Sequence, residues 1–154
     1  MNVKIERATV KDTNDLIEIQ NKAFYSDFKK YGEFPGYNRS YESMKLSIEN
    51  SITFKILVDN IVVGDIIISD RQNGYYHLGG LCIIPEYENR GIGQKAMTFL
   101  DSYFQNARHW SLETPIDKQR NHYFYKKCGF KITGEFIDGN VKVAIFEKIC
   151  SEYA

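Results

Sequence analysis

In the stretch Ile83-Ile84-Pro85-Glu86-Tyr87-Glu88-Asn89-Arg90-Gly91-Ile92-Gly93-Gln94-Lys95-Ala96, a β-strand ends, a polar loop follows and a helix begins. Pro85 cannot donate to a strand ladder and stops the strand. Gly91 and Gly93 lead into a helix whose Ile92, Ala96, Leu100, Tyr103, Phe104 and Ala107 share one apolar face, with Gln94, Lys95, Asp101, Ser102 and Gln105 outside. The N–H groups of a first helical turn have no partner within the helix and sit at the positive end of its dipole. Glycine lets the backbone approach a phosphate with no Cβ in the way. The pattern fits an anion site for phosphate or pyrophosphate. It does not name the ligand, and an ordinary loop before a glycine-started helix has the same residues.

Upstream, Val3 to Ala8 alternates apolar and charged residues, as a short strand does. Asp12 reads as the cap of a helix over residues 13–24. Tyr25, Phe28, Tyr31, Phe34 and Tyr37 then recur every three residues, and Gly32 and Pro35-Gly36 interrupt any long helix. A second helix is predicted over 41–49. Ile52–Val58 and Ile61–Ser69 are rich in β-branched residues and flank Asp59-Asn60, a hairpin signal. Tyr75–Ile84 is a further strand with Gly79-Gly80 in its middle, where glycines mark a bulge or a close backbone approach. Downstream come a strand at His109–Thr114, a helix over 118–127 ended by Gly129, and an antiparallel pair, Phe130–Ile137 and Val141–Ile149, about Asp138-Gly139-Asn140. The order is β-α-α-β-β-β-α-β-α-β-β. It predicts one α/β domain of the α+β type over residues 1–154, a mixed and mostly antiparallel sheet flanked by helices, with a parallel crossover across 75–114.

Composition narrows the function. The 154 residues suit a single domain. Twenty Lys and Arg balance twenty Asp and Glu, which argues against a nucleic-acid binder with a strongly basic face. No apolar run approaches the roughly 18 residues of a membrane span. The charged N-terminus lacks the apolar run of a signal peptide. Cys82, Cys128 and Cys150 are odd in number and widely spaced, which fits neither a disulfide framework nor a zinc knuckle and points to a reducing cytoplasm. His109 and His122 lack metal-site spacing, so no metal is expected. Eleven Tyr, ten Phe and one Trp, 14% of the chain, are more than one small core holds, so some belong at the surface or in a pocket.

Gly91-x-Gly93-x-x-Ala96, with Glu113 downstream, formally matches the dinucleotide fingerprint. The context rejects it: the polar loop from Pro85 to Arg90 replaces the tight turn, and too little chain follows to complete a doubly wound domain. The segment Pro85 to Gly93 instead resembles the coenzyme-A-binding segment of the GNAT superfamily of N-acetyltransferases, whose pattern is [QR]-x-x-G-x-[GA]. Tyr123-Phe124-Tyr125-Lys126-Lys127-Cys128-Gly129-Phe130 resembles that family's second motif, and the element order agrees from residue 3 to 149. Two departures are visible. Glu88 stands where the family usually carries Gln or Arg, and Lys118 stands where it often carries Asn, leaving Asn121 as the nearest amide.

The resemblance implies acetyl transfer from acetyl-CoA to a primary amine, by direct transfer in a ternary complex. It implies that Leu81, Cys82 and Ile83 pair with the pantetheine arm through their backbone, and that Glu88, Asn89, Arg90, Gly91, Ile92, Gly93 and Gln94 hold the pyrophosphate, with Asn121 a further cofactor contact. Tyr125 takes the place of the tyrosine that protonates the departing thiolate; a phenol keeps its proton at neutral pH. His77 is the candidate general base, since an unperturbed imidazole titrates near neutrality, and Glu113 is its rival. The basic last helix, with Lys118, Arg120, Lys126 and Lys127, suits the coenzyme's 3′-phosphate. The aromatic segment 25–40, with Asp27, Glu33 and Glu42 nearby, suits a cationic amine acceptor, either a small molecule or a peptide. A homodimer is common in the family. Membrane and nucleic-acid partners are not expected. Two other readings are a non-catalytic coenzyme-A-binding module of the same fold and a nucleotide-binding regulatory domain.

Overall fold

A computed structural model describes residues 1–150. The elements are β1 (Val3–Arg7), α1 (Thr13–Tyr31), α2 (Tyr41–Asn50), β2 (Ile52–Val58), β3 (Ile61–Asp70), β4 (Tyr75–Ile83), α3 (Ile92–Tyr103), β5 (His109–Pro115), α4 (Gln119–Lys127), β6 (Lys131–Asp138) and β7 (Val141–Ile149). The strand order is β1-β2-β3-β4-β5-β7-β6, with β4 and β5 parallel and the β1–β2, β2–β3, β5–β7 and β6–β7 pairs antiparallel. The mixed α/β fold and the parallel crossover are as predicted.

The chain forms two compact units. The first contains Met1–Ile68 and Gly80–Tyr103. Ala8, Leu16, Met44 and Ile48 are buried together there, with Ile17 and Val62 packed against them. Phe54 meets Phe99 and Tyr103 edge-on, with ring centroids 5.1 Å apart in each pair. The buried stripe of α3 holds Ile92, Ala96 and Leu100 of the predicted face and adds Met97, while Tyr103, also expected there, is exposed. The helix stops at Tyr103, however, so Phe104 and Ala107 are buried from the turn beyond it.

The second unit contains Ser69–Gly79 and the chain from Phe104 onward. Tyr76, Phe104 and Trp110 form one ring cluster. Tyr125 packs against Phe130 and Phe146 in another. Gly129, at φ 98°, lies just beyond α4 as predicted.

Two local readings change. α1 runs seven residues past its predicted end, so the aromatic repeat begins as helix, and Gly32 at φ 78° closes it with its N–H on the Phe28 carbonyl. Asp12 precedes α1, but its side chain turns back: Oδ2 accepts the Thr9 N–H and Oδ1 accepts Lys55 Nζ.

The β2–β3 register places Ile56 opposite Gly64 and Leu57 opposite Val62, so Val63 is an extra residue in a β-bulge. Beside it, a Cβ on Gly64 would collide with the carbonyl oxygen of Cys82 on β4. Gly64→Ala is therefore expected to destabilise the protein by about 1–3 kcal/mol, read as a lower urea midpoint at unchanged slope. Gly80→Ala, whose Cβ would meet only Ile67 Cδ1 at 3.9 Å, should leave the midpoint in place.

Candidate active site

In the first unit, β4 ends at Ile83 and Pro85–Tyr87 form a short 3₁₀ turn in which the N–H of Glu88 donates to the Pro85 carbonyl. Asn89 and Gly91 follow at φ 61° and 77°, the left-handed region, and no atom lies within 4 Å of where a Gly91 Cβ would stand. The N–H of Lys95 donates to the Gly91 carbonyl, which starts the ladder of α3. Ile92, Gly93 and Gln94 thus occupy the first turn, where N–H groups have no acceptor within the helix. Arg90 lies with its guanidinium 4.9 Å from the centre of the Tyr87 ring. An open left-handed glycine before a helix N-terminus fits a pyrophosphate.

The strand leading to this loop has a fixed polarity. Ile84 N–H donates to the Val63 carbonyl, and the Cys82 carbonyl faces Gly64, so both residues turn their backbone groups toward β3. Strand alternation then directs the N–H and C=O of Leu81 and Ile83 to the other side. The parallel ladder to β5 covers Tyr75–Leu78 of β4. Cys82 is buried, and burial pushes its thiol well up, so it stays protonated.

In the second unit, Tyr125 is 8% exposed. Burial pushes its phenol above the usual range. His77 faces Ser111 across the ladder, with Nδ1 2.7 Å from Ser111 Oγ. Burial, helped by the charge of Arg71, lowers its pKa to about 4. The imidazole is thus neutral at pH 7, but it does not titrate near neutrality as the sequence led us to expect. Glu113 is exposed on β5. Asn121 donates through Nδ2 to Thr114 Oγ1 at 3.0 Å, which leaves its carbonyl oxygen for other partners.

The aromatic segment of the first unit forms a wall. Phe28 stacks on Tyr37 at 4.4 Å, Tyr25 lies 6.0 Å from Tyr37, and Phe24 lies 5.0 Å from Phe34. Asp27, expected beside this wall as an acceptor contact, is instead 6% exposed, because its helical position turns it inward. A groove of about 530 Å³ runs beside Tyr25, along one stripe of α1 and the turn after β4; Glu18, Lys22 and Glu86 line it, with Lys22 Nζ 3.4 Å from Glu18 Oε1. Sequence reading missed it, since its two sides come from segments sixty residues apart whose only shared signal is charge. Among the described residues no cluster of three His, Cys, Asp or Glu is gathered for a metal ion, and no helix is long and apolar enough to cross a membrane.

Residues 13–130 match the model of the Acetyltransferase (GNAT) family. The chain belongs to that family. Solved structures with the same fold include the PaiA N-acetyltransferase of Thermoplasma acidophilum in complex with coenzyme A, 20% identical, with a TM-score of 0.81 over 97% of this chain and 99% of that one. The ribosomal-protein-S18-alanine N-acetyltransferase of Escherichia coli is 15% identical, with a TM-score of 0.79 over 99% of each chain. A search of curated proteins found no match.

Because the Tyr125 ring makes its packing contacts with Phe130 and Phe146, Tyr125→Phe should not lower the unfolding free energy by more than about 0.5 kcal/mol. Chemical denaturation checks this; a larger loss means that the hydroxyl holds the fold.

Proposed function

We propose that this protein transfers an acetyl group from acetyl-CoA to a primary amine, directly, in a ternary complex. The observation that carries this reading is the open, left-handed Gly91 at the N-terminus of α3, at the end of a strand whose Leu81 and Ile83 turn their backbone groups away from β3. On this reading Leu81 and Ile83 pair with the pantetheine arm, while Cys82 keeps its carbonyl toward β3. Asn89 to Gln94 hold the pyrophosphate, chiefly through N–H groups of the first helical turn, while the Glu88 N–H stays on the Pro85 carbonyl. The carbonyl oxygen of Asn121 accepts from the coenzyme. The coenzyme supplies a thioester, an acyl group already activated for transfer.

The remaining chemistry is proton management. The amine nitrogen forms a bond to the acyl carbon as the carbon–sulfur bond breaks. His77, or alternatively Glu113, takes the proton from the nitrogen, directly or through water. Tyr125 donates its proton to the leaving sulfur; a phenol held above its usual range has kept that proton at any physiological pH. The groove beside Tyr25, where Glu86 adds a negative charge beyond the Glu18–Lys22 pair, supports a positively charged acceptor, whether a small amine or a peptide. Cys82, Cys128 and Cys150, none of them in a disulfide among the described residues, support a reducing, cytoplasmic setting.

Thiol release from acetyl-CoA, followed across a panel of amines, tests the activity. A rise in melting temperature with coenzyme A but no turnover on any amine would leave a binding module. Tyr125→Phe should lower kcat by about 10²-fold while coenzyme A still raises its melting temperature; an unchanged kcat removes Tyr125 as the acid. His77 is ready as a base only when neutral. Its acidic limb in kcat therefore belongs near pH 4, and should be absent in His77→Ala.

A further inference from the structure

In the first unit, Asp65 of β3 is 1% exposed. Its Oδ1 accepts the Cys82 thiol at 3.1 Å, and its Oδ2 accepts Gln20 Nε2 of α1 at 2.8 Å. Among the described residues no cation is bonded to it. Lys55 stands directly opposite on β2, but its Nζ is bound to Asp12 Oδ1 at 3.1 Å. Arg39 acts on Asp65 only through its field, because its guanidinium is bonded to Ser43 and Ser47 of α2. Gln20, itself 3% exposed, leaves Oε1 buried with no partner.

An asparagine at position 65 would serve this fold better. Its Oδ1 would accept the Cys82 thiol, its Nδ2 would donate to Gln20 Oε1 once that amide rotated, and no charge would be buried. An aspartate there adds only a stronger acceptor for a weak thiol donor. Breaches of this kind in otherwise consistent folds concentrate at functional positions.

We infer that Asp65 is a positioning residue for the coenzyme: by holding the Cys82 side chain on one side, its carboxylate sets the backbone of Leu81 and Ile83 that takes the pantetheine arm on the other. The inference rests on the proposed coenzyme-binding role of Leu81 and Ile83. Burial raises the Asp65 carboxyl to about 6, against the smaller opposing effects of Cys82, Gln20 and Arg39. The tether is therefore strongest above that pH and weakens as the carboxylate is protonated. Stability runs the other way. A carboxyl raised in the folded state favours folding most at low pH, and that contribution is lost as pH rises through about 6.

The test compares the wild type with Asp65→Asn, by calorimetric titration with coenzyme A and by thermal unfolding. Above about pH 7, Asp65→Asn should melt higher than the wild type yet bind coenzyme A roughly fivefold more weakly. Both differences should close as pH falls below about 5; titration of the coenzyme's own phosphate affects both proteins equally and leaves the ratio untouched. A merely structural Asp65 would move the melting temperature but leave the ratio of dissociation constants at one at every pH, which overturns the inference alone. A wild type that binds no coenzyme A overturns the proposed function and this inference together. If Asp65→Asn does not fold, Gln20→Leu provides the second measurement. Losing one hydrogen bond to the carboxylate raises its pKa further, so this variant should bind coenzyme A more weakly than the wild type, most of all just above pH 6; equal affinity there overturns the inference.

Discussion

Strand β4 has one backbone to share between two sides. Each residue of a strand directs its N–H and C=O to one side, and its neighbour directs them to the other. The Ile84 bond to Val63 and the Cys82 carbonyl against Gly64 commit alternate residues to β3. That commitment fixes which way Leu81 and Ile83 point. It needs a glycine at position 64, and the bulge at Val63 lies next to that glycine. A one-residue slip here would exchange the roles of Cys82 and Ile83, so the bulge and the glycine together hold the register of the strand that leads to the loop.

The loop inherits its position from that strand. Pro85 ends the ladder, a single 3₁₀ turn follows, and two left-handed residues, Asn89 and Gly91, bring the chain to the start of α3. The helix is anchored by Ile92, Ala96, Met97 and Leu100. Its N-terminus is therefore rigid in the sense that matters for an anion: N–H groups held by a packed helix lose little freedom when they bind. This also explains how Glu88 is accommodated within a phosphate-binding pattern. Its N–H is already bonded to the Pro85 carbonyl within the 3₁₀ turn, so the donors available to an anion come from the residues after it.

Local signals were legible in the sequence; long-range ones were not. Asp59 and Asn60, both at positive φ, make the predicted hairpin turn, and Gly129 ends α4 where its position indicated. These features depend on a few neighbouring residues. The extent of α1 was misjudged because a three-residue aromatic repeat fits a helix and a loop equally well, and the deciding feature was the left-handed conformation of Gly32. The loop before α3 could be placed because its signals lie within a few residues of one another. Asp65 was invisible for the opposite reason. In Gly64-Asp65-Ile66 it reads as a plain charge on a strand, and only the meeting of Gln20, Asp65 and Cys82 from three distant segments shows that it is buried. The depressed His77 pKa was hidden likewise, since burial is a property of the packed unit.

Where burial sets protonation, it does so in a consistent direction, toward the neutral form. Tyr125 is held as a phenol, His77 as a neutral imidazole and Cys82 as a thiol. Each is in the form that costs least in a low dielectric. For acyl transfer this is useful as well as economical: a neutral acid and a neutral base can exchange one proton each with the substrates, and neither has to be desolvated as an ion beforehand. Asp65 is the exception, because its neutral form is the one that burial favours and yet it titrates close enough to neutrality to be charged at pH 7. Its charge is turned toward a thiol and an amide within the unit, where it can order the strand without entering the proton transfers. The same desolvation thus keeps three groups neutral and makes the fourth sensitive to pH.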